Sequence, residues 1–200
     1  LTIDLLPNGE AATLAAWVQE LAAAIDAEVL VSDDADPFKT AADTNGLAHQ
    51  ICKTHVGRNT DAWVAAMAPA LAVDADGSLA AIGVTPAQAV ADGQELLRLM
   101  TARQPSPAAS ATLVAIHRRY LAAPKPSRGE SMSLAYRLRL FSLDRWNLWD
   151  RLTRYRTWQG PEGETLDGTN NACERAIGWW VKERYRSMRG YKRPASVLNV

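Results

Sequence analysis

Glu28-Val-Leu-Val-Ser-Asp-Asp-Ala-Asp-Pro-Phe-Lys39 is the stretch on which the fold turns. Val29-Leu30-Val31 is a short apolar run of the kind that forms a buried strand in a parallel or mixed sheet. It stops abruptly at Ser32-Asp33-Asp34, where such a strand would leave the sheet. In open α/β sheets, ligands sit in the crevice outside the carboxyl ends of the strands. Pro37 suits the first turn of a helix running from Phe38 to Asp43. Two readings of the acidic residues stay open. A carboxylate at a rigid strand end can hold a divalent cation, and Asp34 or Asp36 can equally be the N-cap of the helix.

Outward from this stretch, Leu1 to Leu6 is strand-like and Pro7-Asn8-Gly9 turns the chain out of it. Glu10 to Ala24 is expected to be a helix, with Leu14, Trp17, Val18 and Leu21 on one face. Asn45-Gly46 marks a helix C-terminus, and Leu47 to Cys52 a further short strand. The order β-α-β-α-β within the first 52 residues is an α/β signature. From Asn59 onward the pattern is helical only. Asp61–Ala72 is one helix, and Thr85-Pro86 opens another that reaches about Arg103. Ala108–Ala123 is a third, before the loop from Pro124 to Gly129. Met132–Trp158 is the longest, with Leu134, Leu138, Phe141, Leu148, Leu152 and Tyr155 at helical spacing and Arg145 interrupting them. Gly160-Pro161-Glu-Gly163 breaks the chain before a last helix from about Asn171. The expected division is therefore 1–60, 61–160 and 161–200.

The chain has 200 residues, 48% apolar and 22% charged, as in ordinary globular proteins. No apolar run approaches a membrane span and no signal-peptide pattern opens the chain, so no membrane partner is expected. Cys52 and Cys173 make no disulfide framework and suit a reducing, cytoplasmic setting. The start at Leu1 and the apolar end Ser196–Val200 read as cut ends, so a fragment is expected. The net charge of zero hides an asymmetry. Residues 1–100 carry 4 Lys/Arg against 14 Asp/Glu, and residues 101–200 carry 18 against 8. A basic half of this kind suits a polyanion such as nucleic acid, or a helical surface paired internally with the acidic half.

Two further segments carry candidate chemistry. Cys52-x-x-His55 has half of a zinc spacing, but no second Cys/His pair accompanies it, so a buried Cys and a hydrogen-bonded His beside the strand end are expected. Asn171-x-x-Glu174 spells a capping box. Arg175, Lys182, Arg186 and Arg189 fall at helical spacing on one stripe next to Glu174, and Gly178 leaves the neighbouring face bare. A carboxylate flanked by a basic stripe and an open patch suits a metal-dependent enzyme acting on phosphodiesters. Trp146, Trp149 or Trp158 could stack on an unpaired base, although core packing is expected for most of the tryptophans.

Leu5-Leu-Pro-Asn-Gly-Glu-Ala-Ala-Thr-Leu-Ala-Ala-Trp17, Val-Ser-Asp33, His49-Gln-x-Cys-x-x-His55-x-x-Arg58-Asn59 and Thr169-Asn-Asn-x-x-Glu174-Arg175 together resemble bacterial insertion-sequence transposases of the DDE type, close to the Mutator-like branch. The resemblance covers about half of the chain. It implies an α/β fold, helix-rich overall: a partial RNase H-like core, third strand onward, over 1–60; an all-α insertion over 61–160; and a returning core helix over 161–200. It makes Asp33 the second acidic residue and Glu174 the third, both catalytic and both ligands of Mg²⁺ or Mn²⁺. Cys52, His55 and Asn171 would shape the site, and Arg175, Lys182, Arg186 and Arg189 would contact DNA phosphates. Leu1–Leu6 corresponds to the third strand, which puts Asp4 on the wrong strand. The first acidic residue is then expected upstream of Leu1, and the chain as it stands is expected to be inactive. The implied activity is strand cleavage and transfer, with transposon-end and target DNA as partners and a homo-oligomer as the full-length assembly. The alternatives are a non-catalytic DNA-binding remnant or regulator, and a helical interaction domain with accidental motifs.

Overall fold

In a computed structural model of the protein, residues 6–179 are described. The first helix, α1 (Ala11–Ile25), buries Leu14, Ala15 and Val18. These residues meet Ala41, with Leu6, Trp17, Leu30, Phe38 and Leu47 packed around them. The apolar face expected from the sequence is thus the one buried, except that Leu21 stays half-exposed. Asp26 ends α1 in a left-handed conformation, φ 52°.

Strand β1 (Val29–Ser32) pairs in parallel with β2 (Ala48–Ile51), Val29 opposite Ala48 and Ser32 opposite Ile51. Helix α2 (Asp36–Thr44) makes the crossover, so β1-α2-β2 is a βαβ unit. No other strand pairs with this sheet among the described residues. Accordingly Val29, Leu30 and Val31 are half-buried, and only Ser32 is buried outright. The fully buried strand expected from the apolar run is corrected to this extent. At the end of α2, Gly46 takes φ +65° and closes a Schellman pair, Leu47 N–H to Ala42 O at 3.0 Å and Gly46 N–H to Asp43 O at 3.3 Å.

From Lys53 the chain is helical. Helix α3 (Lys53–Val73) starts eight residues before the expected Asp61. The boundary set at residue 60 is corrected to the Cys52–Lys53 junction. The short helix α4 (Ser78–Ala81) had no counterpart in the sequence reading. Helix α5 (Pro86–Thr101) opens as expected, with Thr85 Oγ1 accepting from Gln88 N–H at 3.2 Å. It packs on α3, whose buried residues Val56, Gly57, Thr60, Val64, Met67 and Leu71 form one stripe. Gly57 and Gly93 let the two backbones approach. A Cβ on Gly57 would stand 3.3 Å from Thr101 Cγ2 and 3.5 Å from the Met100 carbonyl oxygen. A 3₁₀ turn (Pro107–Ala109) precedes α6 (Ser110–Arg119), shorter than the expected Ala108–Ala123. Helix α7 (Leu134–Thr153) ends in another 3₁₀ turn, Arg154–Arg156. Arg145, expected to interrupt the apolar stripe of α7, is instead buried within it, 4.7 Å from the Phe141 ring centroid and ion-paired with Asp144 at 3.0 Å.

Helix α8 (Asn171–Ile177) closes the described chain. The molecule divides into two compact units: residues up to Cys52 with those from Asp167 onward, and Lys53–Leu166. The described residues are thus helix-rich, with one small parallel sheet. No helix among them is long and apolar enough to cross a membrane. The strand expected over Leu1–Leu6 lies outside the described residues up to Leu5, and so does Asp4.

Candidate functional site

The carboxyl end of β1 is held by a cross-strand bond. The buried Ser32 hydroxyl donates to the Asp33 carbonyl oxygen at 2.9 Å and is hydrogen-bonded to His49 Nε2, also at 2.9 Å. His49 is buried on β2, so the last residue of one strand is tied to the other just where Asp33 departs. Asp33 Oδ1 then accepts the Ala35 N–H at 3.0 Å, an Asx turn that leads into α2. The N-cap of α2 is Ala35, without a side-chain cap. The N-cap reading of Asp34 and Asp36 is therefore corrected, because Lys39 draws both carboxylates away from the helix amides, at 3.1 Å and 2.9 Å. Burial alone would lower the Lys39 pKa, but the hydrogen bonds and charges of Asp36 and Asp34 outweigh it and hold it above the ordinary lysine value. The Asp34 side chain is only 6% exposed and already neutralised by this ammonium. Asp33 is half-buried.

Glu174 is exposed on the first turn of α8. The capping box expected of Asn171 and Glu174 is not formed. The N-cap is Asn170, one residue earlier, with no side-chain cap bond, and the Glu174 N–H goes to the Asn170 carbonyl at 3.1 Å. Asn171 is exposed and its carbonyl oxygen accepts from Arg175 Nε at 3.3 Å. Of the expected DNA-contacting stripe, Arg175 is exposed, while Lys182, Arg186 and Arg189 lie outside the described residues. Cys52 is fully buried and carries a free thiol. His55 is half-buried in the first turn of α3.

Asp33 and Glu174 belong to the same compact unit, from its two separate segments. Both supply the anionic oxygen that a hard divalent cation requires. Asp33 keeps its second carboxylate oxygen uncommitted among the described residues, whereas Asp34 does not fit because Lys39 satisfies it. Among the described residues, no group of three or more His, Cys, Asp and Glu side chains is placed to hold an ion.

Some cations of the basic half work inside the helical unit. Arg119 Nε pairs with Asp92 at 3.1 Å. Arg139 Nη1 donates to the Leu121 and Ala123 carbonyls, and Arg156 Nη1 to those of Gln104 and Pro105. The base-stacking reading of Trp149 is corrected: the side chain is 1% exposed and its indole N–H donates to the Ser106 and Pro107 carbonyls. Trp146 is 40% exposed and Trp158 half-buried.

Sequence reasoning missed a cavity of about 300 Å³ lined by Lys53, Thr54, Gly57, Arg58 and residues 100–103. Its cations come from both charge halves of the chain, so the asymmetry pointed away from it. Comparison with protein-family models, curated proteins and solved structures found no match to this chain.

Proposed function

We propose that this chain carries two of the three acidic residues of a DDE-transposase core, Asp33 and Glu174, for Mg²⁺- or Mn²⁺-dependent cleavage and transfer of DNA strands at transposon ends. The observation that carries the proposal is the discontinuous unit. Residues up to Cys52 cluster with those from Asp167 onward, and the helical stretch Lys53–Leu166 is inserted between them in the chain. Asp33 directly follows a strand of the βαβ unit before the insertion, and Glu174 lies on the helix after it. In this reading the βαβ unit is part of an RNase H-like core.

Asp33 and Glu174 would hold the ion. When bound, it supplies activation of an attacking oxygen and stabilisation of the leaving oxygen in an in-line displacement at phosphorus. The bond between Ser32 and His49 orients Asp33, and Lys39 keeps Asp34 from competing. Arg175, one position beyond Glu174, would offer its guanidinium to a phosphate oxygen without reading sequence. Transposon-end and target DNA are the proposed partners, and a homo-oligomer the proposed assembly.

The test is a Mn²⁺ titration followed by NMR. Line broadening should appear together at amides near Asp33 and near Glu174, and both Asp33→Asn and Glu174→Gln should weaken it at both places. Broadening confined to one segment, or to neither, overturns a shared site. The non-catalytic DNA-binding alternative then takes its place if duplex DNA is still bound.

A further inference from the structure

We infer that the cavity between the first two turns of α3 and the end of α5 is a binding site for a phosphate group. The inference deepens the reading of the chain as a DNA-acting protein and rests on it for one choice only, the source of the phosphate. Lys53, Arg58 and Arg103 bring three cationic side chains to one cavity of about 300 Å³, and none of its lining residues is acidic. None of the three has an ion-pair partner among the described residues, in contrast to Arg98 on the same α5, which Glu95 holds at 2.6 Å. Gathering like charges is unfavourable; the carbonyl end of α5, which also lines the cavity, offsets part of this, and an anion in the cavity relieves the rest.

The cavity is also organised. Lys53 Nζ donates to the Arg103 carbonyl oxygen at 3.3 Å and stands 5.0 Å from the centre of the Tyr155 ring. One of its three N–H donors is thereby used and the side chain is held in place. Lys53 and Thr54 belong to the first turn of α3, whose amides have no partner within the helix and whose dipole favours negative charge. Gly57 keeps the wall low: a Cβ there would stand 3.3 Å from Thr101 Cγ2, which would have to give way by a few tenths of an ångström, and in ordinary contact, 3.5 Å, with the Met100 carbonyl oxygen. Met100 and Ala102 add apolar wall, which strengthens the field of the cations.

Two arginines, a lysine and a helix terminus, drawn from the start of α3 and the chain after α5, suit the several oxygens of a tetrahedral phosphate better than the two of a carboxylate. Arg58 and Arg103 are exposed, so a polymer backbone can reach them.

The test uses the whole chain and the double variant Arg58→Gln/Arg103→Gln, with Arg118→Gln as a control. Arg118 is equally exposed but lies on α6 and does not line the cavity. Circular dichroism should show the same helix content in all three. Binding of a short fluorescein-labelled DNA duplex is measured by anisotropy between about 50 and 200 mM salt. Inorganic phosphate and AMP are titrated separately by calorimetry. The expected result is DNA binding that weakens about tenfold in the double variant, with the slope of log K against log salt reduced by about 1, one phosphate contact. Binding of phosphate or AMP that the double variant abolishes, without DNA binding, supports the cavity with a free phosphate as its ligand and refutes the DNA-acting reading. DNA binding unchanged in the double variant, or weakened equally in the control, overturns the cavity and leaves that reading standing. Binding of none of the three probes overturns both.

Discussion

Two buried hydrogen-bonded side chains make predictions at the scale of single residues. The Tyr120 hydroxyl, fully buried, donates to Asp92 Oδ2 at 2.7 Å, and Asp92 is also held by Gln88 and Arg119. Burial first, and then the neighbouring Asp92 carboxylate, push the Tyr120 pKa well above the ordinary tyrosine value. A raised folded-state pKa contributes stability in full below the unfolded value, and that contribution is lost as pH rises above it. From about pH 10 upward the wild-type protein should therefore lose up to about 1.4 kcal/mol per pH unit through this one group. Tyr120→Phe should lack this component, which urea denaturation at several alkaline pH values would reveal as a flatter profile. Identical profiles would show that Tyr120 ionises freely. Ser32 answers to a different measurement. Ser32→Ala removes the buried bond between the Ser32 hydroxyl and His49 Nε2, so a loss of about 0.5–1.5 kcal/mol in urea unfolding at neutral pH is expected. The sequence showed that Ser32-Asp33-Asp34 ends a strand. The resemblance singled out Asp33 over Asp34, but the pairing of Asp34 with Lys39 was not legible, because it depends on Lys39 reaching back from the next helix.

Elements are joined here by capping at a distance, and this was not legible in the sequence. Asp76 precedes α4 and accepts the Ser78 N–H at 3.0 Å through Oδ1. Its Oδ2 accepts the Leu134 N–H at 2.8 Å, on the first turn of α7. Ser78 Oγ accepts the next amide, that of Ala135, at 3.0 Å. Asp76 thus bonds the first turn of the helix beside it and that of a helix whose first residue, Leu134, lies 58 residues further along the chain. Ser133, the N-cap of α7, accepts the Tyr136 N–H at 3.2 Å, and neither this cap nor the remote one enters the sequence reading of Met132–Trp158 as a single helix. Partial burial on its own raises the Asp76 pKa, but the hydrogen bonds from Ser78 and Leu134 outweigh it and hold the carboxyl below the usual range. A depressed folded-state pKa gives stability that is present above the unfolded value, about 3.9, and lost as pH falls through the lower folded value. Asp76→Ala should cost about 1–2 kcal/mol at pH 7 by urea denaturation. The gap between variant and wild type should narrow on acidification below about pH 4. A gap that stays constant down to pH 2 would rule out the carboxylate as the origin of the effect.

At the scale of the whole molecule, periodicity made the alternation of strand and helix before Cys52 legible, and the run of helices after it. The junction itself was hidden. Lys53-Thr-His-Val-Gly-Arg-Asn-Thr60 combines β-branched residues, Gly and Asn, all poor helix formers. What makes this stretch helical is its packing on α5, where Val56 and Thr60 are fully buried and Gly57 abuts Met100 and Thr101. Tertiary contact overrides propensity there, and a reading by local pattern placed the boundary eight residues too late. The consequence is measurable. Lys53–Leu166 has its own core, with Leu71, Leu79, Leu96, Leu113, Leu138, Trp149 and Leu152 all at 4% exposure or less. Expressed alone, it should keep its helical circular dichroism and unfold in urea in one cooperative step, followed by tryptophan fluorescence. A fragment starting at Asp61 lacks the first two turns of α3 and loses the burial of Val56 at the least, about 1.5–3 kcal/mol. It should therefore unfold at clearly lower urea than the fragment starting at Lys53. Equal midpoints would mean that the first two turns of α3 belong energetically to the unit before them. A broad, uncooperative transition in the longer fragment would mean that the helical stretch is no independent unit.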